Sequence, residues 1–307
     1  MVEYFLHLAN IIGIYIILTI SMNLIVGYTG LFALAHAAYY GIGAYTSALV
    51  TLNLGLPVWA GIALGSLNAA FFGFILAIPT LRLRGDYLCI ATVGFVEIIR
   101  AVFMNWDSVT RGPFGLPNLP RPRLMGFEFA TRAEYLFLVM GFVIFTVIAV
   151  RNILNSRIGR SFKAVRDDEI AATAMGVNVF LVKALALTIA AFFCGIAGAL
   201  FAHYITYVDP STFGTFESIM ILCMAVLGGM GSISGSVVGP CILITLPEIL
   251  RNIGIAGDFS LFRQVFFGVL LIAVMVFRPT GIMGTHEFQL ALFKKVRAAS
   301  AKSGKGN

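Results

Sequence analysis

The sequence predicts an all-α integral membrane protein, a polytopic bundle of about eight to ten transmembrane helices with one short cytoplasmic helix. Of its 307 residues, 59% are hydrophobic and only 11% are charged, and the mean hydropathy is +0.95. Such a chain has too little polar surface to cover a soluble globule of this size. Its apolar runs are long and continuous, which indicates helices, because the strands of a membrane barrel alternate strictly over about ten residues.

Nine apolar runs are candidates for the roughly 20 helical residues that a bilayer core about 30 Å thick requires. The first has no Lys or Arg before it and no small-residue cleavage motif, so we expect a retained span rather than a signal peptide. Some runs are separated only by a glycine-rich turn, and we expect that one or two of them are half-helices that enter and leave on the same side. The runs lie near residues 8–26, 31–52, 58–80, 87–105, 134–150, 181–204, 216–231, 233–250 and 261–278.

The basic residues predict the orientation of these spans. With nine alternating spans and the charged segment around residue 167 in the cytoplasm, two thirds of the 21 Lys and Arg residues fall on the cytoplasmic side. The N-terminus is then outside and the C-terminus inside. We interpret the net charge of +7 as a topology signal. Nucleic-acid binding is not expected, because it needs basic residues gathered on a soluble face.

Side chains that carry chemistry are scattered along the chain. The four cysteines are single and lie inside apolar runs, which favours buried thiols over zinc or redox sites. The four histidines form no group with metal-ligand spacing. Without a phosphate-binding loop or a nucleophile motif, we expect no catalytic residue, no metal site, no cofactor in this chain and no ATP hydrolysis by the chain alone. The four cysteines are Cys89, Cys194, Cys223 and Cys241, and the four histidines are His7, His36, His203 and His286.

One charged segment, about residues 152–180, lies between the fifth and sixth runs and is too long for a simple turn. Asp167 or Asp168 is a good N-cap for a short helix that Gly176 would end. Asn178 can cap the span that follows. We therefore predict a short cytoplasmic helix held between two turns.

Four positions of this segment are small, which would let another surface approach closely. The plain alternative is a solvated loop whose charges only fix the topology. We favour a docking surface, on which Ala172 and Gly176 are expected to be exposed in the isolated subunit. Ahead of it, Phe162 and Val165 have the spacing of an amphipathic stretch along the membrane face. The four small residues are Ala171, Ala172, Ala174 and Gly176.

Polar residues within the apolar runs are functional candidates, because burying them in lipid is costly. Glu97 and Arg100 stand three apart on one helix face, where we expect them to neutralise each other. The alternative is that Glu97 lines a pathway through the membrane. Asn23 and His36 are candidates either for hydrogen bonds between helices or for lining such a pathway.

Six blocks of the sequence resemble, in their order along most of the chain, the permease subunits of branched-chain amino acid ATP-binding-cassette importers. The M-type member of the permease pair is the best match. The glycines in these blocks also have a physical role that does not depend on the resemblance, because they allow tight turns and close helix packing. They are NLIVGYTGLFALAHAAYYGIGAY, LRLRGDYLCIATVGFVEIIR, NWDSVTRGPFGLP, GRSFKAVRDDEIAATAMGVNVFLVKALAL, VLGGMGSISGSVVGP and FRPTGIMG.

Within the fourth block, EIAATAMG resembles the glutamate-alanine-alanine-x-x-x-glycine signature that seats a short coupling helix in a cleft of the ATPase. Ile170 separates Glu169 from the alanine pair, one residue more than in the signature, whereas Ala172 and Gly176 keep their spacing. The resemblance implies a site of ATPase coupling at Arg166, Asp167, Asp168, Glu169, Ala171, Ala172 and Gly176.

The resemblance implies a transport subunit rather than an enzyme, in a bacterial inner membrane. Residues 1–290 would form one permease domain and 291–307 a basic cytoplasmic tail. Its partners would be the lipid bilayer, a second permease subunit, two ATPase subunits that use ATP and Mg, and an external substrate-binding protein. Importers of urea, short amides and other amino acids have similar permeases and stay open as alternatives. An ion-coupled secondary transporter is less favoured, because no internal repeat is convincing and intramembrane carboxylates are few.

Overall fold

The helices of the chain follow the predicted apolar runs. A computed structural model describes residues 2–80, 83, 86–124, 127–129, 131–252, 268 and 281–283. Apart from residue 268, the predicted ninth span (261–278) and the basic tail (291–307) lie outside the described residues. The helices are α1 (Val2–Asn23), α2 (His36–Asn53), α3 (Val58–Thr80), α4 (Asp86–Asn105), α5 (Asp107–Thr110), α6 (Arg132–Asn155), α7 (Arg157–Asp167), α8 (Glu169–Ala174), α9 (Val179–Ile205), α10 (Thr215–Gly228) and α11 (Ile233–Asn252).

Five helices of the described chain are long and apolar enough to cross a membrane, by length and composition. They are α1 with its π-helical continuation Leu24–Thr29, then α3, α4, α6 and α9. Helices α10 and α11 are bent by 119° at a short break, and they make a sixth if the pair is one span. The all-α polytopic class is confirmed. The bent pair agrees with the expectation that abutting runs include half-helices. It accounts for part of the difference between apolar runs and full spans, and the predicted run 31–52, which forms α2, is not among the five spanning helices.

Helix α2 lies at the centre of the bundle, packed against α3 and α9. Most of its residues are buried, although Tyr, Ser, Thr and His make it more polar than its neighbours. Glycines let the backbones approach: a Cβ atom at Gly43 would collide with the Gly195 backbone, and one at Gly198 with the Tyr40 carbonyl. Small residues at helix contacts are the usual device for close packing in membranes.

The described residues of 106–131 (106–124, 127–129 and 131) and the segment 206–214 lie together at one end of the bundle, which we call the loop end. His203 of α9 joins the first of these segments to α2, because its Nδ1 is 2.8 Å from the Pro120 carbonyl and its Nε2 is 2.8 Å from Ser47 Oγ. The Trp59 indole donates to the Arg123 carbonyl at 2.8 Å. Short antiparallel pairs complete this end. They are β1 (Leu116–Pro117) with β4 (Tyr207–Val208), and β2 (Arg123–Leu124) with β3 (Phe127–Glu128).

The bend between α10 and α11 is built from glycine. Gly229 and Gly231 have φ angles of 126° and 78°, which side chains rarely tolerate. Carbonyls at the end of α10 receive donors from a distant part of the chain: the Ile282 amide bonds Leu227 O and the Met283 amide bonds Gly228 O, both at 2.9 Å. The bend is therefore a defined structure rather than a loose loop.

Candidate functional site

Helix α7 lies against the end of the bundle opposite the loop end, in contact with α9 and the π-helical segment. Ser156 caps its start by accepting from the Gly159 amide. Phe162 and Val165 share one face, as their spacing predicts, and both belong to the hydrophobic core of the bundle, while Arg157 and Arg160 are exposed. That this helix lies along the membrane face stays a prediction. An amphipathic helix of this kind is held by its apolar stripe and leaves its charged face to solvent.

The short helix α8 has the predicted caps. Asp168 Oδ1 accepts from the amides of Ile170 and Ala171, at 2.8 and 3.0 Å. Gly176 has a φ of +81° just beyond the helix end, and Asn178 accepts from the Leu181 amide to start α9. Asp168 thus satisfies amides at the start of α8 that so short a helix cannot pair internally, and Gly176 and Asn178 set the turn that leads into α9.

One face of α8 is apolar and exposed. Ile170 is 79% exposed and Met175 is 84% exposed, and Ala171 and Ala174 beside them are also exposed. We call these four residues the α8 face. The spacing of four residues places Ile170 beside Ala174 and Ala171 beside Met175. Exposed apolar groups of this size on a charged, capped segment are typical of a contact surface.

The prediction that Ala172 is exposed is wrong. It is only 5% exposed and belongs to the hydrophobic core, because its position on α8 points away from the exposed face. Its amide also bonds Asp168 O, and its carbonyl bonds the Val177 amide. Gly176 is exposed as expected, with nothing within 4 Å of a Cβ atom built there. Of the two small residues, Gly176 alone is available to a partner.

Glu169 has a structural contact that the sequence did not indicate. Its Oε1 is 2.5 Å from Nζ of Lys183, whose side chain is 8% exposed. This ion pair joins the start of α8 to α9. Lys183 was missed, although an ionisable residue inside an apolar run is itself a signal.

Arg166 connects α7 to the interior of the bundle. Its side chain is only 14% exposed, and its Nη1 donates to the carbonyl of Gly27 at 3.1 Å. Its Nε lies 3.3 Å from Asp167 Oδ1. Gly27 lies in the last turn of the π-helical segment, where backbone carbonyls lack an internal donor. The guanidinium thus serves as a side-chain cap at a negative helix end.

Asn23 forms hydrogen bonds between helices. Its side chain is buried, with Nδ2 at 2.9 Å from Ser232 O and 2.7 Å from Ser236 Oγ. Its Oδ1 accepts from the Gly231 amide at 2.7 Å. Asn23 therefore satisfies the backbone of the bend between α10 and α11, which was one of its two predicted roles.

The other pathway candidates lie on two helices, His36 on α2 and the pair Glu97 and Arg100 on α4. His36 is fully buried at the start of α2. Glu97 and Arg100 of α4 are half-exposed and 3.4 Å apart, and Glu97 also accepts from the Thr215 hydroxyl at 2.6 Å. Glu97 thus caps α10, whose own N-cap residue has no side chain. These contacts suit the predicted pairing, while a pathway role for Glu97 or His36 stays a prediction.

The described residues form a multi-pass helical bundle with a bent helix pair and a capped segment at one end, and these features define a polytopic membrane protein. Residues 4–275 match the family described as branched-chain amino acid transport system, permease component. No solved structure matches the chain.

Named relatives are transport permeases. LivM of Escherichia coli K12, a high-affinity branched-chain amino acid transport system permease protein, is 36% identical, and the match covers 93% of this chain and 71% of the relative. LivH of Salmonella typhimurium and BraD of Pseudomonas aeruginosa have the same description and are each 27% identical, over 90% of this chain and 92% and 93% of theirs. The chain therefore belongs to the family of branched-chain amino acid transport permeases, as the sequence blocks predicted.

Proposed function

We propose that the chain is a permease subunit of an ATP-driven importer and forms, with a second permease subunit, the route for leucine, isoleucine and valine across the bacterial inner membrane. Similarity to both LivM and LivH supports a permease pair, since relatives with these two names are permease proteins of high-affinity branched-chain amino acid transport systems. In this proposal ATP and Mg are used by two cytoplasmic ATPase subunits and not by this chain.

The observation that carries the proposal is the exposed α8 face. Water is a poor environment for Ile170 and Met175 at 79% and 84% exposure, so a protein cleft that covers them gains free energy. The caps at Asp168 and Asn178 keep the face preformed, which lowers the cost of binding. A rigid apolar projection next to charged residues suits the cleft of a soluble ATPase.

The orientation in this proposal follows the basic residues: α7 and α8 face the cytoplasm, and the N-terminus and the loop end face outward. Arg111 at the loop end is exposed, and in this orientation it faces the side from which a substrate-binding protein with acidic side chains would approach. The substrate-binding protein would bind the amino acid tightly, whereas the permease would bind it only weakly and transiently during passage.

The proposal is tested by the uptake of labelled leucine at low external concentration, in cells with and without the chain. Uptake should need both the chain and ATP. ATP depletion and collapse of the ion gradient are applied separately, because uptake that survives the first and fails after the second identifies an ion-coupled transporter. If removal of the chain leaves leucine uptake unchanged, the substrate assignment is wrong, and labelled urea, short amides and other amino acids are the next compounds.

A further inference from the structure

The α7–α8 segment and the glycine bend of α10–α11 meet at one short stretch of backbone. Gly27 is that stretch: its carbonyl accepts from Arg166 of α7, and a Cβ atom placed on it would collide with the Asn23 side chain and the Gly231 amide. The two contacts lie on the same residue, so α7 and the bend both touch one glycine.

We propose that Arg166, Gly27 and Asn23 form a mechanical link that transmits movement of the α7–α8 segment to the bend. We call this the Arg166–Asn23 link. Arg166 and Asn23 act as positioning residues, and neither is assigned a contact with substrate. The inference rests on the proposed function, because the movement would come from an ATPase docked on the α8 face.

Burial makes the link stiff. Asn23 is 1% exposed and Arg166 has a 14% exposed side chain, so water competes little for their hydrogen bonds. A hydrogen bond from a charged guanidinium in such surroundings is stronger than one between neutral groups at a surface. The approach is also tight at Gly30, where a Cβ atom would meet Arg166 at 3.0 Å. If α7 moves relative to the π-helical segment, Arg166 must therefore either displace the Gly27 backbone or lose its hydrogen bond to the Gly27 carbonyl.

At its other end the link holds the residues that set the bend. Asn23 accepts from the Gly231 amide and donates to the Ser232 carbonyl and the Ser236 hydroxyl, so one side-chain amide joins the residues of the break to the first turn of α11. The angle between α10 and α11 depends on the backbone angles of Gly229 and Gly231, which have the conformational freedom to change. A small displacement of Asn23 is thus converted into rotation of one helix against the other, as in hinge movements.

A contiguous chain of contacts does not by itself demonstrate coupling, so the test measures coupling directly. The complete complex, with both permeases and ATPases, is reconstituted in liposomes with the binding protein, and leucine uptake and ATP hydrolysis are measured together. Arg166→Lys keeps the charge but loses the directed guanidinium bond to Gly27. Arg160→Lys, the same change at an exposed position of the same helix, is the matched control. Ser236→Ala weakens the other end of the link.

Arg166→Lys should lower the leucine imported per ATP hydrolysed at least tenfold, while ATPase copurification and hydrolysis stay within twofold of wild type. Arg160→Lys should change none of these. Ser236→Ala should lower the ratio by a smaller factor, and the double variant should match Arg166→Lys alone, because the link is already broken. A merely structural role would lower assembly and hydrolysis together and leave the ratio unchanged.

The inference is overturned if Arg166→Lys imports leucine per ATP like wild type, or if the effects of Arg166→Lys and Ser236→Ala multiply. If Arg166→Lys does not assemble, Ser236→Ala alone decides, and a wild-type ratio in that variant overturns the link. A wild-type complex without ATP-dependent leucine uptake overturns the proposed function itself, an outcome that differs from the first two because the unmodified complex fails.

Discussion

Docking of an ATPase on the α8 face gives the sharpest quantitative prediction. Full burial of an Ile or Met side chain stabilises by about 1.5–3 kcal/mol. With Ile170 79% exposed and Met175 84% exposed, a cleft that covers both would gain about 2.5–5 kcal/mol from them. Replacing both by Gln removes most of this gain and preserves helix propensity. Since imperfect burial reduces the free energy gained, the lower end of this range is expected, which corresponds to about 60-fold weaker binding.

The assay is titration of the purified ATPase against the permease pair in lipid nanodiscs, with wild type and Ile170→Gln/Met175→Gln. Phe114→Gln is the matched control, because Phe114 is 84% exposed like Met175 but lies at the loop end. The control should bind as wild type does. If the double variant binds the ATPase within threefold of wild type, the α8 face is not the docking surface and the reasoning from exposed apolar area is wrong.

Three further predictions concern the burial of individual residues. Ala172→Glu places a charge at a buried site and should speed protease cleavage of the segment 156–178 at least tenfold, whereas Ala171→Glu at an exposed site should stay within twofold of wild type. Gly198→Ala should lower the Tm by about 3–10 °C, because the added Cβ atom overpacks α9 against α2. Gly94→Ala is the control and should leave the Tm unchanged, because nothing lies within 4 Å of a Cβ atom there. Equal Tm values for the two variants would contradict the close approach of α9 and α2. Glu97→Gln should leave leucine uptake within twofold, because a half-exposed ion pair contributes about 0–1 kcal/mol, and a large loss would favour a pathway role instead.

Local features of the segment around α8 were predictable from neighbouring residues. The caps at Asp168 and Asn178 and the left-handed Gly176 depend on side chains within three residues, so the sequence contains all the relevant partners. The buried positions of Phe162 and Val165 follow from helical periodicity in the same way. What such reasoning could not supply was the side of α8 that faces the bundle, and Ala172 was therefore assigned to the wrong environment.

The sequence by itself determined that the chain lies in a membrane, that it is helical, where its charged segment lies and to which family it belongs. Hydropathy, capping and motif order are properties of the linear chain. Only the tertiary structure decided that Arg166 meets Gly27, that Glu169 pairs with Lys183 and that Asn23 holds the α10–α11 bend. Arg166 and Gly27 are 139 residues apart, and Asn23 and Ser232 are 209 apart. Such contacts depend on how helices pack, and helix packing is set by many small steric fits rather than by any local pattern.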